Sequence, residues 1–205
     1  MILKDFLIKG TKDTYEELSE EIFNKQKVNH PNSIDLYSLC DSFGMKVTLA
    51  NSDIKMDHSI ASKKERRGLI LLEKNKSEIE ERQLLAEEFS HLYLHQKNQL
   101  FMGTSELNKM ENQAFKLASN ILIPTKWLLN IEVYPSLNQK FILAEDVAQQ
   151  FNVLPEFAYK RLKYLNENYL FDKSSTGILY NMPMFDMLPE QIFVVLNKKE
   201  NFILN

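Results

Sequence analysis

Apolar residues recur along this chain with two different periods, and the places where the period changes mark out its elements. Thr14-x-x-Glu17 has the form of a capping box, and Tyr15, Leu18, Ile22 and Phe23 follow at helical spacing, so an amphipathic helix is predicted there. His30-Pro31-Asn32 ends it. Ser33 is placed to cap a second helix carrying Ile34, Leu36, Tyr37, Leu39 and Phe43, with Gly44 in its C-terminal turn. Met45, Val47 and Leu49 then alternate with Lys46 and Thr48, the period of a half-buried strand, and Gly68-Leu-Ile-Leu-Leu72 is a short apolar run. These two are expected to pair in one small sheet. Lys63-Lys-Glu-Arg-Arg67 reads as a solvated loop, with a substrate-facing basic patch as the sharper alternative.

A second capping box, Ser77-x-x-Glu80, opens a long helix running to about Gln96. Gly103 and Thr104-Ser105 separate it from a helix at about 106–122, which stops at Ile123-Pro124 because proline disfavours helix in the residue before it. Tyr134-Pro135-Ser136 reads as loop. Two further helical patterns, 143–151 and 155–166, are joined by Asn152-Val-Leu-Pro155 in the manner of a helix-turn-helix. Strands are expected at Ile178-Leu-Tyr180 and Ile192-Phe-Val-Val-Leu196, and the chain has no internal repeat. The fold class that follows is α+β and predominantly helical, with a short β-sheet.

Composition narrows the function. The 205 residues are 44% hydrophobic and 26% charged, the balance of an ordinary globular chain with a real core. With 25 Lys and Arg against 28 Asp and Glu, the net charge of −3 supplies no field for holding a polyphosphate backbone. Cys40 is the single cysteine, which rules out an intrachain disulfide and a cysteine-built zinc finger and fits a reducing compartment. Charge interrupts the N-terminus before an apolar signal core develops, and no apolar run approaches the roughly 18 residues that span a bilayer. A cytoplasmic protein with no membrane contact is expected.

The polar residues able to do chemistry are densest on the 77–96 helix. At 100° per residue, Leu84, Glu88, His91 and His95 fall within about a 60° sector, with Glu87 roughly 40° beyond His91. Glu87 and His91 stand at i and i+4, the spacing by which one helix presents two ligands to one ion, and Glu88 beside them is free to orient a water. The Cα of His95 lies about 12 Å along the axis from that of Glu87, too far to share its ion, so His95 reads as supporting or structural. On the next helix Met110, Ala114, Phe115, Leu117, Ala118, Ile121 and Leu122 form an apolar stripe, and Glu111 falls within it. An unpaired buried charge costs several kcal/mol, so a carboxylate there is expected to protonate, find a cation or ligate a metal. Metal ligation is the economical solution.

Leu85-Ala-Glu-Glu-Phe-Ser-His-Leu-Tyr-Leu-His95 followed by Glu111-Asn-Gln-Ala-Phe-Lys-Leu-Ala-Ser-Asn-Ile-Leu-Ile-Pro124 resembles the core of the ImmA/IrrE metallo-endopeptidases. The likeness extends over about residues 14–166, through Leu143-Ala-Glu-Asp-Val-Ala-Gln-Gln-Phe-Asn-Val153 to Arg161-Leu162. It implies a small zincin-like metallopeptidase domain at 1–128, a helix-turn-helix-like segment at 129–166 and a C-terminal extension at 167–205 without an assigned role. In that family a His-Glu-x-x-His helix and a Glu on the following helix hold zinc. Here Glu87 stands where the first His is expected, and Ser90 replaces the usual Gly before the second. The resemblance implies Glu87, His91 and Glu111 as metal ligands and Glu88 as general base. One imidazole with two carboxylates is a harder, more anionic set than zinc's usual one, so manganese is admitted beside zinc. The implied reaction is metal-assisted peptide hydrolysis of a protein substrate, a phage-type transcriptional repressor with a helix-turn-helix domain.

Two other readings compete with this one. An inactive member of the family would capture such a repressor without cutting it. A helix-turn-helix at 143–166 with Lys160, Arg161 and Lys163 would bind DNA, although Glu156 and Glu167 bracket those cations and Phe157, Leu162, Tyr164 and Leu165 suit the helix to packing. Direct nucleic-acid binding is therefore disfavoured. Tyr93 points away from His91 and is expected to pack. His30 and His58 fall in predicted loops, and Cys40 among apolar neighbours reads as core.

Overall fold

A computed structural model describes residues 1–49, 60–64, 67–95, 104–135, 140–172, 176–181, 191–195 and 202–203. In chain order its first elements are β1 (Leu7–Gly10), α1 (Thr14–Gln26), α2 (Leu36–Ser42), β2 (Met45–Leu49), β3 (Ile60–Lys64) and β4 (Arg67–Leu72). The central helices are α3 (Glu78–Leu94), α4 (Thr104–Leu122) and the short α5 (Thr125–Leu128). Then come β5 (Tyr134–Pro135), β6 (Lys140–Leu143), α6 (Ala144–Phe151), α7 (Pro155–Asn168) and β7 (Tyr169–Phe171), followed by β8 (Thr176–Asn181), β9 (Gln191–Val195) and β10 (Phe202–Ile203). The fold is α+β with helices predominating, as the hydrophobic pattern predicts.

The chain divides into two compact units, one of residues 15–122 and one made of 1–14 together with 123–205. The expected divisions at 128 and 166 are not where the contacts part. The reason is the N-terminal segment, whose backbone is committed to the far end of the chain. Leu3 and Lys4 donate to the carbonyls of Ile131 and Leu129 at 2.9 and 2.8 Å, Val133 donates to Met1 at 2.8 Å, and β1 runs antiparallel to β7. Within the expected C-terminal extension, the described strands are paired. β8 pairs in parallel with β6 and antiparallel with β9 in a sheet of order β10-β9-β8-β6-β5. β5 includes Tyr134 and Pro135, where loop was expected.

Within the 1–14 and 123–205 unit, α6 and α7 pack as a helical pair. Asn152, in the left-handed region at φ 52°, makes the turn between them, as short polar side chains tolerate. Arg161 is 2% exposed, and its Nε donates to the Ile123 carbonyl at 3.1 Å while Nη2 donates to Thr125 Oγ1 at 2.8 Å. Tyr164 and Asn168 both donate to Asp13 Oδ2. Of the three cations that a DNA-reading helix would offer, Arg161 is thus buried, and only Lys160 and Lys163 are exposed.

The 15–122 unit is a three-stranded sheet of order β2-β4-β3 with helices packed on it. β2 and β4 pair directly and in parallel, Met45 opposite Gly68 through Leu49 opposite Leu72. β3 is antiparallel to β4, so Lys63, Lys64 and Arg67 are strand residues rather than the expected loop; Glu65 and Arg66 lie outside the described residues. Asp35, not Ser33, caps α2, accepting from the backbone N–H of Tyr37 and Ser38 at 3.0 Å each. Gly44 closes it at φ 71°, a conformation that suits glycine. α3 begins with the expected capping box, Ser77 with Glu80. Its seat on β4 depends on Gly68, where an added Cβ would lie 2.8 Å from Leu92 and 3.1 Å from Met45. Cys40, Ile70, Leu72, Leu85, Phe89, Leu117 and Ile121 are fully buried or within 1% of it and form the core of this unit.

Candidate metal centre

α3 and α4 pack against each other, and of the residues predicted from their sequences His91 and Glu111 meet across that seam. On α3, Leu85, Ala86, Phe89 and Leu92 are buried on one side, and His91, on another side of the helix, is 9% exposed. Ser90, fully buried, donates to the Ala86 carbonyl at 2.7 Å, so the hydroxyl that stands in place of a glycine is satisfied within its own helix. Phe89 and Tyr93 stack at 5.6 Å, and Phe43 meets both rings edge-on. Tyr93 therefore packs, as expected, and burial raises its pKa.

His91 Nε2 and Glu111 Oε2 are 3.2 Å apart, a contact that joins the two helices. The expectation of a buried Glu111 is corrected: its side chain is 61% exposed. In the first half of α4 only Met110 is buried before Ala114, and the apolar neighbours that flank Glu111 in projection, Ala118 and Leu122, lie two and three turns further on. The stripe averaged over the helix hid that difference. Glu87 Oε1 accepts from Gln83 Nε2 at 3.4 Å, one turn back along α3. His30 shapes a turn, its Nδ1 accepting from Asn32 N at 3.3 Å, and His58 lies outside the described residues.

Glu88 is the most perturbed acid of the seam. Burial pushes its pKa up to about 7, and the negative charges of Glu87 and Glu111 add to the shift. A carboxylic group poised near neutrality can take and return a proton at working pH. His95 closes α3 and is shifted the other way, held below the usual histidine value chiefly by burial, against a hydrogen bond with the Met110 backbone that raises it. Its ring centroid lies 5.9 Å from that of His91. The sequence geometry set His95 aside by measuring from Glu87; its i, i+4 spacing to His91 is a signal present in the chain.

The donors that meet are of the kind that bind zinc or manganese, an imidazole nitrogen facing a carboxylate oxygen, with further acids and a second imidazole within a turn. Among the described residues no group of three His, Cys, Asp or Glu side chains is gathered closely enough to hold an ion as it stands.

α3, seated on the three-stranded sheet, and α4 thus bring together a buried histidine, a carboxylate across the seam and a half-buried acid near neutrality, an arrangement compatible with a metallopeptidase-type domain. The chain matches the peptidase M78 family, the IrrE N-terminal-like domain, over residues 40–163, and it belongs to that family. This bears out the resemblance read from the α3 and α4 sequences. The chain is also similar to YqaB, an uncharacterized protein of Bacillus subtilis (strain 168), with 27% identity over 172 residues, covering 82% of this chain and 95% of that protein. No solved structure matches the chain. Among the described residues no helix is long and apolar enough to cross a membrane.

Proposed function

We propose that this chain is a metal-dependent endopeptidase acting on a protein substrate in the cytoplasm, and that the substrate is a transcriptional repressor with a helix-turn-helix domain. The observation that carries the reading is Glu88, a half-buried acid in a peptidase-family domain whose pKa is pushed up to about 7 beside the His91–Glu111 contact. Glu87, His91 and Glu111 are the residues assigned to the ion, zinc or manganese, by their likeness to the family's motif. When bound there, the ion would supply a water acidic enough to ionise near neutrality and would polarise the scissile carbonyl. Glu88 would be the general base and acid of the reaction, accepting a proton from the attacking water and returning one to the departing amine, a role that needs both its protonation states at neutral pH. The repressor as substrate follows from the resemblance, and the reducing compartment from the single, buried Cys40.

The test is incubation of the purified chain with zinc and a candidate repressor, followed by mass spectrometry of the fragments. Glu88→Gln should slow cleavage by about 10²–10⁴-fold, the range of a lost general base, while leaving metal uptake intact. Capture of the repressor without cleavage is the second reading, favoured by the lack of a gathered three-donor set among the described residues. A repressor response that survives Glu88→Gln in full would select capture over catalysis.

A further inference from the structure

β4 carries apolar residues toward both faces of its sheet, and among the described residues only one of those faces is well covered. Gly68, Ile70 and Leu72 are buried on the side of α3, where an added Cβ at Gly68 would meet Leu92. Leu69 and Leu71 alternate with them on the opposite side, and Leu69 is 45% exposed. β4 is the central strand and pairs in parallel with β2. A continuous apolar run in a parallel pair is the pattern of a strand packed on both faces.

The register fixes which positions share that outer face. On β2, Lys46 stands opposite Leu69 and Thr48 opposite Leu71. On β3, Ser62 stands opposite Leu69, Ile60 opposite Leu71 and Lys64 opposite Arg67. Cross-strand partners and alternate residues belong to one side of a sheet, so Lys46, Lys64 and Arg67 hold positions beside the Leu69 and Leu71 centre. Lys46 and Thr48 are exposed. No described position of this face holds Asp or Glu, although the whole chain has a net charge of −3. The basic run at 63–67 thus contributes Lys64 and Arg67 to one sheet face, with Lys63 at a position of the other.

We infer that this outer sheet face docks an amphipathic helix of a partner protein, whose apolar stripe covers Leu69 and Leu71 and whose flanking Asp and Glu residues meet Lys46, Lys64 and Arg67. A helix is the element that usually closes the open side of a parallel pair. The cations choose its chemistry, since their field attracts an acidic surface, repels a basic one and fixes the register of the docked helix. The described positions of this face hold no aromatic ring on which bases could stack, which favours a protein over single-stranded nucleic acid. α3 lies on the opposite side of the sheet, so the inference stands apart from the metal-dependent reading.

Amide NMR of the full ¹⁵N-labelled chain tests this with three probes: a synthetic helix whose leucine stripe is flanked by glutamates, the same helix with lysines in place of the glutamates, and a short poly-dT strand. The glutamate helix should move the amides of Lys46, Thr48, Leu69 and Leu71, and it should bind less tightly as salt is raised. Lys46→Glu combined with Arg67→Glu should weaken it by about tenfold or more. Leu69→Ser should weaken it by about fivefold. If either variant fails to fold, the unaltered chain decides by its choice between the two helices, with the glutamate form expected to bind at least about tenfold more tightly. Equal binding of the two helices, or a glutamate helix that leaves these amides in place, overturns the inference. Tighter binding of poly-dT at the same amides overturns it in favour of a nucleic-acid surface. A chain that is dimeric until Leu69→Ser makes it monomeric overturns it in favour of a second copy.

Discussion

The α6–α7 pair and the α3–α4 pair are each two consecutive helices packed along one seam, yet they treat buried polarity in opposite ways. In α6–α7 the buried cation is Arg161, and its donors end on the Ile123 carbonyl and the Thr125 hydroxyl. Polarity there is consumed by the architecture. In α3–α4 the Glu88 acid is half-buried and lifted to about 7, and the buried His95 Nε2 has no hydrogen-bond partner among the described residues. Groups kept in such states weaken the fold, and their persistence marks the place where a domain does chemistry. The opposition teaches that burial of a charged residue says little by itself; what its hydrogen bonds end on separates scaffold from site.

The comparison breaks first at Arg161. Arg161→Ala should cost about 3–5 kcal/mol in urea unfolding, because the partner carbonyl and hydroxyl stay buried without their donor. A loss below about 1 kcal/mol would mean that the polarity of that seam is not structural after all. Glu88→Gln should act in the opposite direction. A carboxyl whose folded pKa of about 7 exceeds its ordinary 4.5 binds protons more tightly in the native state, so the metal-free protein loses stability as pH rises through that window. At pH 8 the substitution should therefore stabilise the metal-free chain by about 3 kcal/mol, fading to little at pH 4, as unfolding at the two pH values would show.

An ordinary helix cap sets the scale between these extremes. Asp35→Ala should cost about 1 kcal/mol at neutral pH, measured by thermal unfolding. Hydrogen bonds from Ser38 hold the Asp35 pKa below the usual range, so the difference from the unaltered chain should shrink as acid protonates the cap. The smallest stability effect belongs to Glu111. Its side chain is 61% exposed, so Glu111→Gln should shift stability by no more than about 0.5 kcal/mol while abolishing metal uptake. A large loss of stability with metal binding retained would place Glu111 among the structural residues and erase the contrast.

Much of this was legible in residue order, for physical reasons that differ from element to element. The Ser77–Glu80 capping box and the proline after α4 are local signals, and α3, α4, α6 and α7 all formed within about two residues of their expected ends. The β2–β4 pairing was legible because both runs are long enough to show their period. β1, β5, β6 and β7 were not, since each is four residues or fewer and owes its pairing to a partner distant in sequence. The cap of α2 moved from Ser33 to Asp35 because both residue types cap equally well, and tertiary packing chose. At the seam, residue types and spacing picked out His91 and Glu111 as partners across two helices. The exposure of Glu111 was hidden because helical periodicity averages over a length on which only the second half is covered.

The pairing of β1 with β7, and of residues 1–4 with 129–133, also orders events in time. Residues 1–10 must wait for partners synthesised more than a hundred residues later, on the order of ten seconds at ordinary elongation rates. The 15–122 stretch, whose described strands pair with one another, has a shorter wait. A nascent chain stalled shortly after α4 would thus already hold its helix seam while its leading strand was still unclaimed.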